Sequence, residues 1–271
     1  MAYHHSLYSV IQGKGLPVVL LHGLAASHHD WDWLAPLLVQ FEYQVYLPDL
    51  LGHGDSPRPS EISCYTLDKL YTALLMWMEQ VRVPKRFFLI GHSLGGYLSL
   101  KIAINHPEQV LGLVLTAPFF TLKQILPLAR QALQYPTLSE QALKLATPPM
   151  VNSILRLASP VLGNYPPQAR WRTATDYTRT IPASMRFPAS AQDLTPALVS
   201  IKAPAIVIWG KNDLMLQPRY FERLVQALPN AQGHAFPACG HEPHLTRMAQ
   251  FNQLTLDFLK AHSFDCKADT A

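Results

Sequence analysis

Between residues 87 and 103 the chain reads FFLIGHSLGGYLSLKIA, an apolar run that stops at a glycine, holds one serine, and resumes at once with helical spacing. Few folds accept this. The strand FFLI has to end in a turn so tight that the helix YLSLKIAI begins within a few residues. Gly91-His92-Ser93-Leu94-Gly95 fits G-x-S-x-G, in which a serine sits on a sharp strand-to-helix turn with its hydroxyl exposed above the sheet edge. Side chains at positions 91 and 95 would collide with the neighbouring backbone of such a strained turn. Glycine-rich turns also bind phosphates, but neither G-x-G-x-x-G nor G-x-x-x-x-G-K-[ST] occurs here, which argues against a nucleotide.

The rest of the chain supplies the setting for that turn. Strand signals at Leu7 to Gln12, Pro17 to His22, Tyr43 to Leu47, Arg86 to Ile90 and Val110 to Thr116 alternate with helical spacing at Asp30 to Gln40, Leu67 to Gln80 and onward from the serine to Asn105. Continuous apolar strands such as FFLI and VLGLVL are those of a mostly parallel sheet with helices on both faces, an α/β fold. Between Pro118 and Pro196 the grammar changes: this stretch holds 11 of the 23 prolines but one of the 13 glycines, and its apolar residues keep helical spacing. It reads as an inserted helical cap, residues 118–196, within a core of residues 1–117 and 197–271. From Ala203 the sheet pattern returns with the strand AIVIWG, a helix from Pro218 to Leu228, a short strand near His234 to Phe236, and a last helix from about Thr246 to His262. The tail FDCKADTA is expected to fray.

A serine hydroxyl holds its proton too tightly to attack a carbonyl near neutral pH. It needs a base within reach, and that base needs a partner to orient it. In open α/β sheets the functional loops gather at the carboxyl ends of the strands. Two such loops follow the insert: WGKNDLM, with Asp213, and PACGHEPHL, with His241. The loop after Val110 to Thr116 reads APFF and offers no carboxylate. His22, His53, His92, His234 and His244 are rival histidines, each read as a loop or turn residue satisfied by backbone or water. For the oxyanion, one donor would be the backbone N–H of Leu94 and another that of Leu24, after His22-Gly23.

Together VVLLHGLAASHHDWDWL, YLPDLLGHGDSPRP, LIGHSLGGYLSL, VIWGKNDLM and CGHEPHL make the sequence resemble the α/β-hydrolase fold family, in its capped, esterase-like branch. The resemblance implies Ser93 as nucleophile, His241 as base, Asp213 as orienting acid, an acyl-enzyme intermediate, carboxylic esters (or thioesters or amides) of apolar acyl groups as small-molecule substrates, and no cofactor or metal. Haloalkane dehalogenases and epoxide hydrolases share the core but carry aspartate where this chain has Ser93. Carbon–carbon hydrolases of ring-cleavage diketones keep the serine, usually with asparagine before it and tryptophan after the histidine; here those positions are His92 and Glu242. That activity, or a ligand-sensing receptor of the same fold, is the alternative.

The insert is expected to carry specificity. Phe119, Phe120, Trp171, Tyr177, Met185 and Phe187, with Trp31 after the HG loop, are candidates to line an apolar acyl pocket, or else to form local core. His53 and Asp55 are expected to brace the GHGDS loop. Residues 118–196 contain eight Lys/Arg and three Asp/Glu, which places positive charge on the insert of a chain whose formal charge is +4. No Lys/Arg tract suggests a nucleic-acid partner. Three scattered cysteines suggest neither a disulfide framework nor zinc. The N-terminus does not read as a secretory signal and no apolar run is long enough to cross a bilayer, so a soluble cytoplasmic protein is expected.

Overall fold

The computed structural model describes residues 6–133 and 135–267. Strands β1 (Ser9–Gln12), β2 (Leu16–Leu21), β3 (Tyr43–Pro48), β4 (Phe87–His92), β5 (Val110–Thr116), β6 (Ala205–Gly210) and β7 (Ala231–Phe236) form one sheet in the order β1-β3-β2-β4-β5-β6-β7. Only β1 runs antiparallel to its neighbour among these pairings. The carboxyl ends of β2 to β7 therefore share one edge.

Helices α1 (Ala35–Gln40), α2 (Leu67–Gln80) and α3 (Leu94–Asn105) connect the first five strands. Between β5 and β6 lie α4 (Pro127–Ala132), α5 (Pro136–Leu145), α6 (Pro148–Leu162) and α7 (Pro167–Arg179); α8 (Arg219–Ala227), α9 (Pro243–Thr246) and α10 (Met248–Lys267) complete the chain. Every residue of β4 is buried, as a strand covered on both faces requires. Its alternate side chains enter two cores. Leu89, with Leu113, Leu115 and Val207 of the neighbouring strands, meets Trp77 of α2, Tyr97 of α3 and Phe221 of α8. Phe88 and Ile90, with Leu20, Val114 and Ile208, meet Leu38 of α1 and Phe251 of α10. Burying each such leucine or phenylalanine contributes about 1.5–3 kcal/mol, so both faces hold the sheet edge in place.

The prolines of the insert now have a cause. α4, α5, α6 and α7 each carry proline in the first turn, where a missing N–H costs no hydrogen bond and the fixed φ favours helix.

The expected helix from Asp30 to Gln40 is instead a 3-10 turn, His28–Trp31, and a separate α1. Ser27 caps the turn by accepting from the His29 amide, and the turn drives Asp30 and Trp31 inward. Strand β7 begins at Ala231, three residues before the expected start, because its pairing with β6 from Ala205↔Ala231 outweighs its exposed Gln232 and Gly233. The last helix is split at Arg247 and continues to Lys267, beyond the expected end at His262; residues 268–271 of the tail lie outside the described residues.

Candidate active site

Ser93 occupies the turn between β4 and α3 with φ 49° and ψ −108°, a left-handed backbone that a residue bearing a Cβ adopts only under constraint. Its neighbours hold it there. The Ser93 N–H donates to Thr116 O (3.0 Å), and its carbonyl accepts from the Phe119 N–H (3.0 Å). A Cβ at position 91 would lie 2.5 Å from the Gly95 carbonyl oxygen, and one at position 95 would lie 2.1 Å from that of Leu21. Both glycines are required by close packing of backbone against backbone. The Ser93 hydroxyl makes no hydrogen bond to any described residue.

The loops after β6 and β7 bring Asp213 and His241 together. Asp213 is buried; its Oδ1 accepts from the Met215 (2.8 Å) and Leu216 (2.9 Å) amides, and its Oδ2 accepts from His241 Nδ1 at 2.7 Å. Two amides thus aim the carboxylate, and the carboxylate fixes the imidazole, whose Nε2 makes no hydrogen bond among the described residues. Burial disfavours the imidazolium of His241, but the charge and hydrogen bond of Asp213 outweigh it, and its pKa lies above the ordinary imidazole value. The loop bearing His241 lies against the serine turn: His92 Nε2–H donates to the His241 carbonyl at 3.2 Å, and the two rings are 5.0 Å apart.

The loop after β2 carries the other expected donor. Neither the Leu24 N–H nor the Leu94 N–H donates to a described residue, although Leu94 is 2% exposed. Ala25 takes φ 59°, and His22 pins the loop: its Nδ1–H donates to Gly23 O (2.7 Å) while Nε2 accepts from the Leu50 amide (2.9 Å). These partners fix His22 as a neutral imidazole, in line with a pKa lowered by burial.

A second polar cluster sits beneath the site. Asp30 Oδ2 faces the Gly23 N–H (3.4 Å), His92 Nδ1 (3.3 Å) and His244 Nε2 (3.8 Å), all buried. Burial alone would raise the Asp30 carboxyl, but the imidazoles of His244 and His92 hold it well below the usual carboxylate range. The donor atoms of Asp30, His92 and His244 lie within 4.8 Å of one another, close enough to share one cation; a proton on either imidazole meets the same geometry. Neither ring nitrogen of His244 has a hydrogen-bond partner among the described residues. Glu242 accepts from the Tyr165 hydroxyl, and Asp176 of α7 accepts from Ser27 Oγ (2.7 Å), a bond from the insert to the loop after β2. Burial pushes both carboxyls above their usual values.

The expected lining residues are dispersed. Phe119 and Phe120 are buried with Tyr97 beside the turn, and Phe187 packs between Tyr65 and His53. Tyr177 and Met185 are half-buried, and Trp171 is exposed. Trp31 lies fully buried in the core behind the sheet, 5.1 Å from the His244 ring. His53 Nδ1–H donates to Leu51 O (3.0 Å), and Asp55 pairs with Arg179. The sequence reading missed Asp30, Tyr165 and Asp176, and it took His92 and His244 for ordinary loop histidines. The dense run Gly240-His241-Glu242-Pro243-His244 was the available signal.

Comparison with known proteins agrees with the fold. Residues 17–247 match the model of the alpha/beta hydrolase fold. The chain is 28% identical to 2-hydroxy-6-oxo-6-phenylhexa-2,4-dienoate hydrolase of Burkholderia cepacia, covering 91% of this chain and 88% of that one. It is also 28% identical to pimeloyl-[acyl-carrier protein] methyl ester esterase of Nitrosomonas europaea, covering 91% and 96%. Among solved structures, a thermophilic esterase from Thermogutta terrifontis superposes with a TM-score of 0.79 at 21% identity, over 94% of this chain and 93% of that one. A strained serine at a strand-to-helix turn, an Asp–His pair on the neighbouring strand ends and a family match across most of the chain agree: this chain belongs to the α/β hydrolase fold family.

Proposed function

We propose that the chain is a serine hydrolase that cleaves carboxylic esters of uncharged, apolar acyl groups, with Ser93 as nucleophile, His241 as base and Asp213 as orienting acid. The observation that supports this reading is the unengaged Ser93 hydroxyl on its strained turn, with the preceding His92 bonded to the His241 carbonyl at 3.2 Å and the His241 imidazole fixed by Asp213 at 2.7 Å. His241 Nε2 takes the proton as Ser93 Oγ attacks the carbonyl carbon, and Asp213 balances the imidazolium. The unpartnered amides of Leu24 and Leu94 receive the oxyanion. His241 then protonates the departing alcohol, and water repeats the cycle on the acyl-enzyme. In this reading residues 118–196 form the cap over a core of residues 1–117 and 197–271.

Carbon–carbon hydrolysis is the second reading, supported by the dienoate hydrolase among the relatives. The two differ in substrate charge. A dienoate brings a carboxylate, whereas no lysine or arginine is buried among the described residues, and the buried aspartates are Asp30, Asp49, Asp176 and Asp213. That field favours a neutral substrate. A graded panel of p-nitrophenyl esters against a 2-hydroxy-6-oxo-dienoate separates them: esters are expected to turn over faster. Ser93→Ala is expected to abolish both ester turnover and fluorophosphonate labelling, and persistence of either would overturn the serine mechanism.

A further inference from the structure

Three segments meet beneath the serine turn, and each brings one buried polar side chain: Asp30 from the 3-10 turn after β2, His92 from the last position of β4, and His244 from α9. Asp30 Oδ2 lies 3.3 Å from His92 Nδ1 and 3.8 Å from His244 Nε2, and the three atoms fall within 4.8 Å of one another.

His92 faces more acceptors than a neutral ring has protons. Its Nε2 meets the His241 carbonyl at 3.2 Å and its Nδ1 meets the Asp30 carboxylate, yet a neutral imidazole carries a single N–H. With that proton on Nε2, the Nδ1 lone pair points at an oxygen that also offers only lone pairs, and a cation between them relieves the clash. A second proton on His92 would serve this pair but not His244. Neither nitrogen of His244 has a hydrogen-bond partner among the described residues, although its side chain is 1% exposed. At 3.8 Å a proton on its Nε2 is too far from Asp30 to make a hydrogen bond. The rings of Trp31 and Phe251, 5.1 Å and 6.0 Å from that of His244, offer it no acceptor.

One divalent ion would partner all three atoms. Zinc binds imidazole nitrogen and carboxylate oxygen at about 2.0–2.2 Å, which sets tetrahedral neighbours about 3.3–3.6 Å apart. The Asp30–His92 separation meets that spacing and the Asp30–His244 separation is slightly wider. The outer partners fit as well. A ligating imidazole usually donates its other N–H to a carbonyl or carboxylate, as His92 does to His241, and a ligating carboxylate is itself hydrogen-bonded, as Asp30 is by the Gly23 N–H at 3.4 Å.

We propose that Asp30 Oδ2, His92 Nδ1 and His244 Nε2 bind one zinc ion, with a water as the fourth ligand, and that the ion fastens the segments after β2, β4 and β7 to one another. Both rings enter as neutral imidazoles and the carboxylate enters ionised, so the ion displaces no proton. Resemblance to the family implies no metal, and this one sits beneath Ser93 whatever bond that serine cleaves.

The test is the zinc content and Tm of the full chain, purified from minimal medium with added zinc or with a zinc chelator and freed of loose metal by gel filtration. About one zinc per chain by mass spectrometry, and a Tm several degrees above that of the zinc-free chain, are expected. His244→Gln and, separately, His92→Asn are each expected to cut the retained zinc by about tenfold or more and to remove the zinc-dependent rise in Tm, which loss of a merely packed histidine would leave in place. Cobalt supplied instead of zinc is expected to give the strong visible absorption of a four-coordinate site, lost in both variants. Retention of less than about a tenth of an equivalent by the parent, zinc that leaves its Tm unchanged, or a His244→Gln chain that holds zinc like the parent would overturn the proposal. Where a variant does not fold, the zinc content and Tm of the parent decide by themselves.

Discussion

His92 donates its Nε2–H to the main-chain carbonyl of His241 at 3.2 Å, while its Nδ1 faces Asp30. The residue before Ser93 is thereby tied to the backbone of His241, and Asp30 stands behind both.

Asp30→Asn is expected to cost about 1–3 kcal/mol of stability, because it leaves two buried imidazoles and the Gly23 amide without their charged partner. The sign of the pH dependence follows from the depressed carboxyl. Its contribution is present above the ordinary aspartate range and is lost as pH falls through the lower folded value. Urea unfolding from neutral to acid pH checks this: the variant should be less stable near neutrality and converge on the parent in acid.

Asp213→Asn should lower kcat by about 10⁴-fold on an activated ester, since an amide no longer holds the His241 tautomer or balances its charge. An amide oxygen can still accept from Met215 and Leu216, so the far-UV circular dichroism should be unchanged.

The acid limb of kcat/KM should fall above the ordinary imidazole value of 6.5, because the raised pKa of His241 keeps it protonated, and idle as a base, to higher pH. Activity is present above that pKa and lost as pH drops through it. Asp213→Asn removes the carboxylate that raises it, so the residual activity should show a limb at lower pH.

Gly95→Ala should lower stability by about 1–3 kcal/mol or prevent folding, since the new Cβ meets the Leu21 carbonyl oxygen at 2.1 Å and no rotamer relieves a backbone contact. A fall in Tm of several degrees reports it. A parent-like Tm would mean that the turn is looser than described.

Much of this was legible because strand cores and the serine turn are local signals. FFLI is buried on both faces and reads as an uninterrupted apolar run. Ser93 and Asp213 each follow such a run and His241 follows the last strand, so their shared edge could be read from chain order. The Asp30 cluster could not. Asp30 and His244 are polar letters in loops far apart in sequence, and their burial arises only when three loops converge under the sheet edge. The 3-10 turn at His28–Trp31 was lost for the same reason, since helical spacing in DWDWLAPLLVQ does not reveal that Asp30 is drawn inward. Strand β7 escaped in part because an edge strand with exposed Gln232 and Gly233 lacks the apolar run.

The final carbonyls of α6 do not fray into water. Val161 O receives Asn212 Nδ2–H, and Leu162 O receives the Gly240 N–H at 2.8 Å, one residue before Asp213 and one before His241. The end of α6 thus serves as a fixed anchor for the loops that bear Asp213 and His241. Excising residues 118–196 would remove that anchor together with the core residues Phe119, Phe120, Phe187 and Leu194, so redesign of this segment must keep both those side chains and the last turn of α6 where they are.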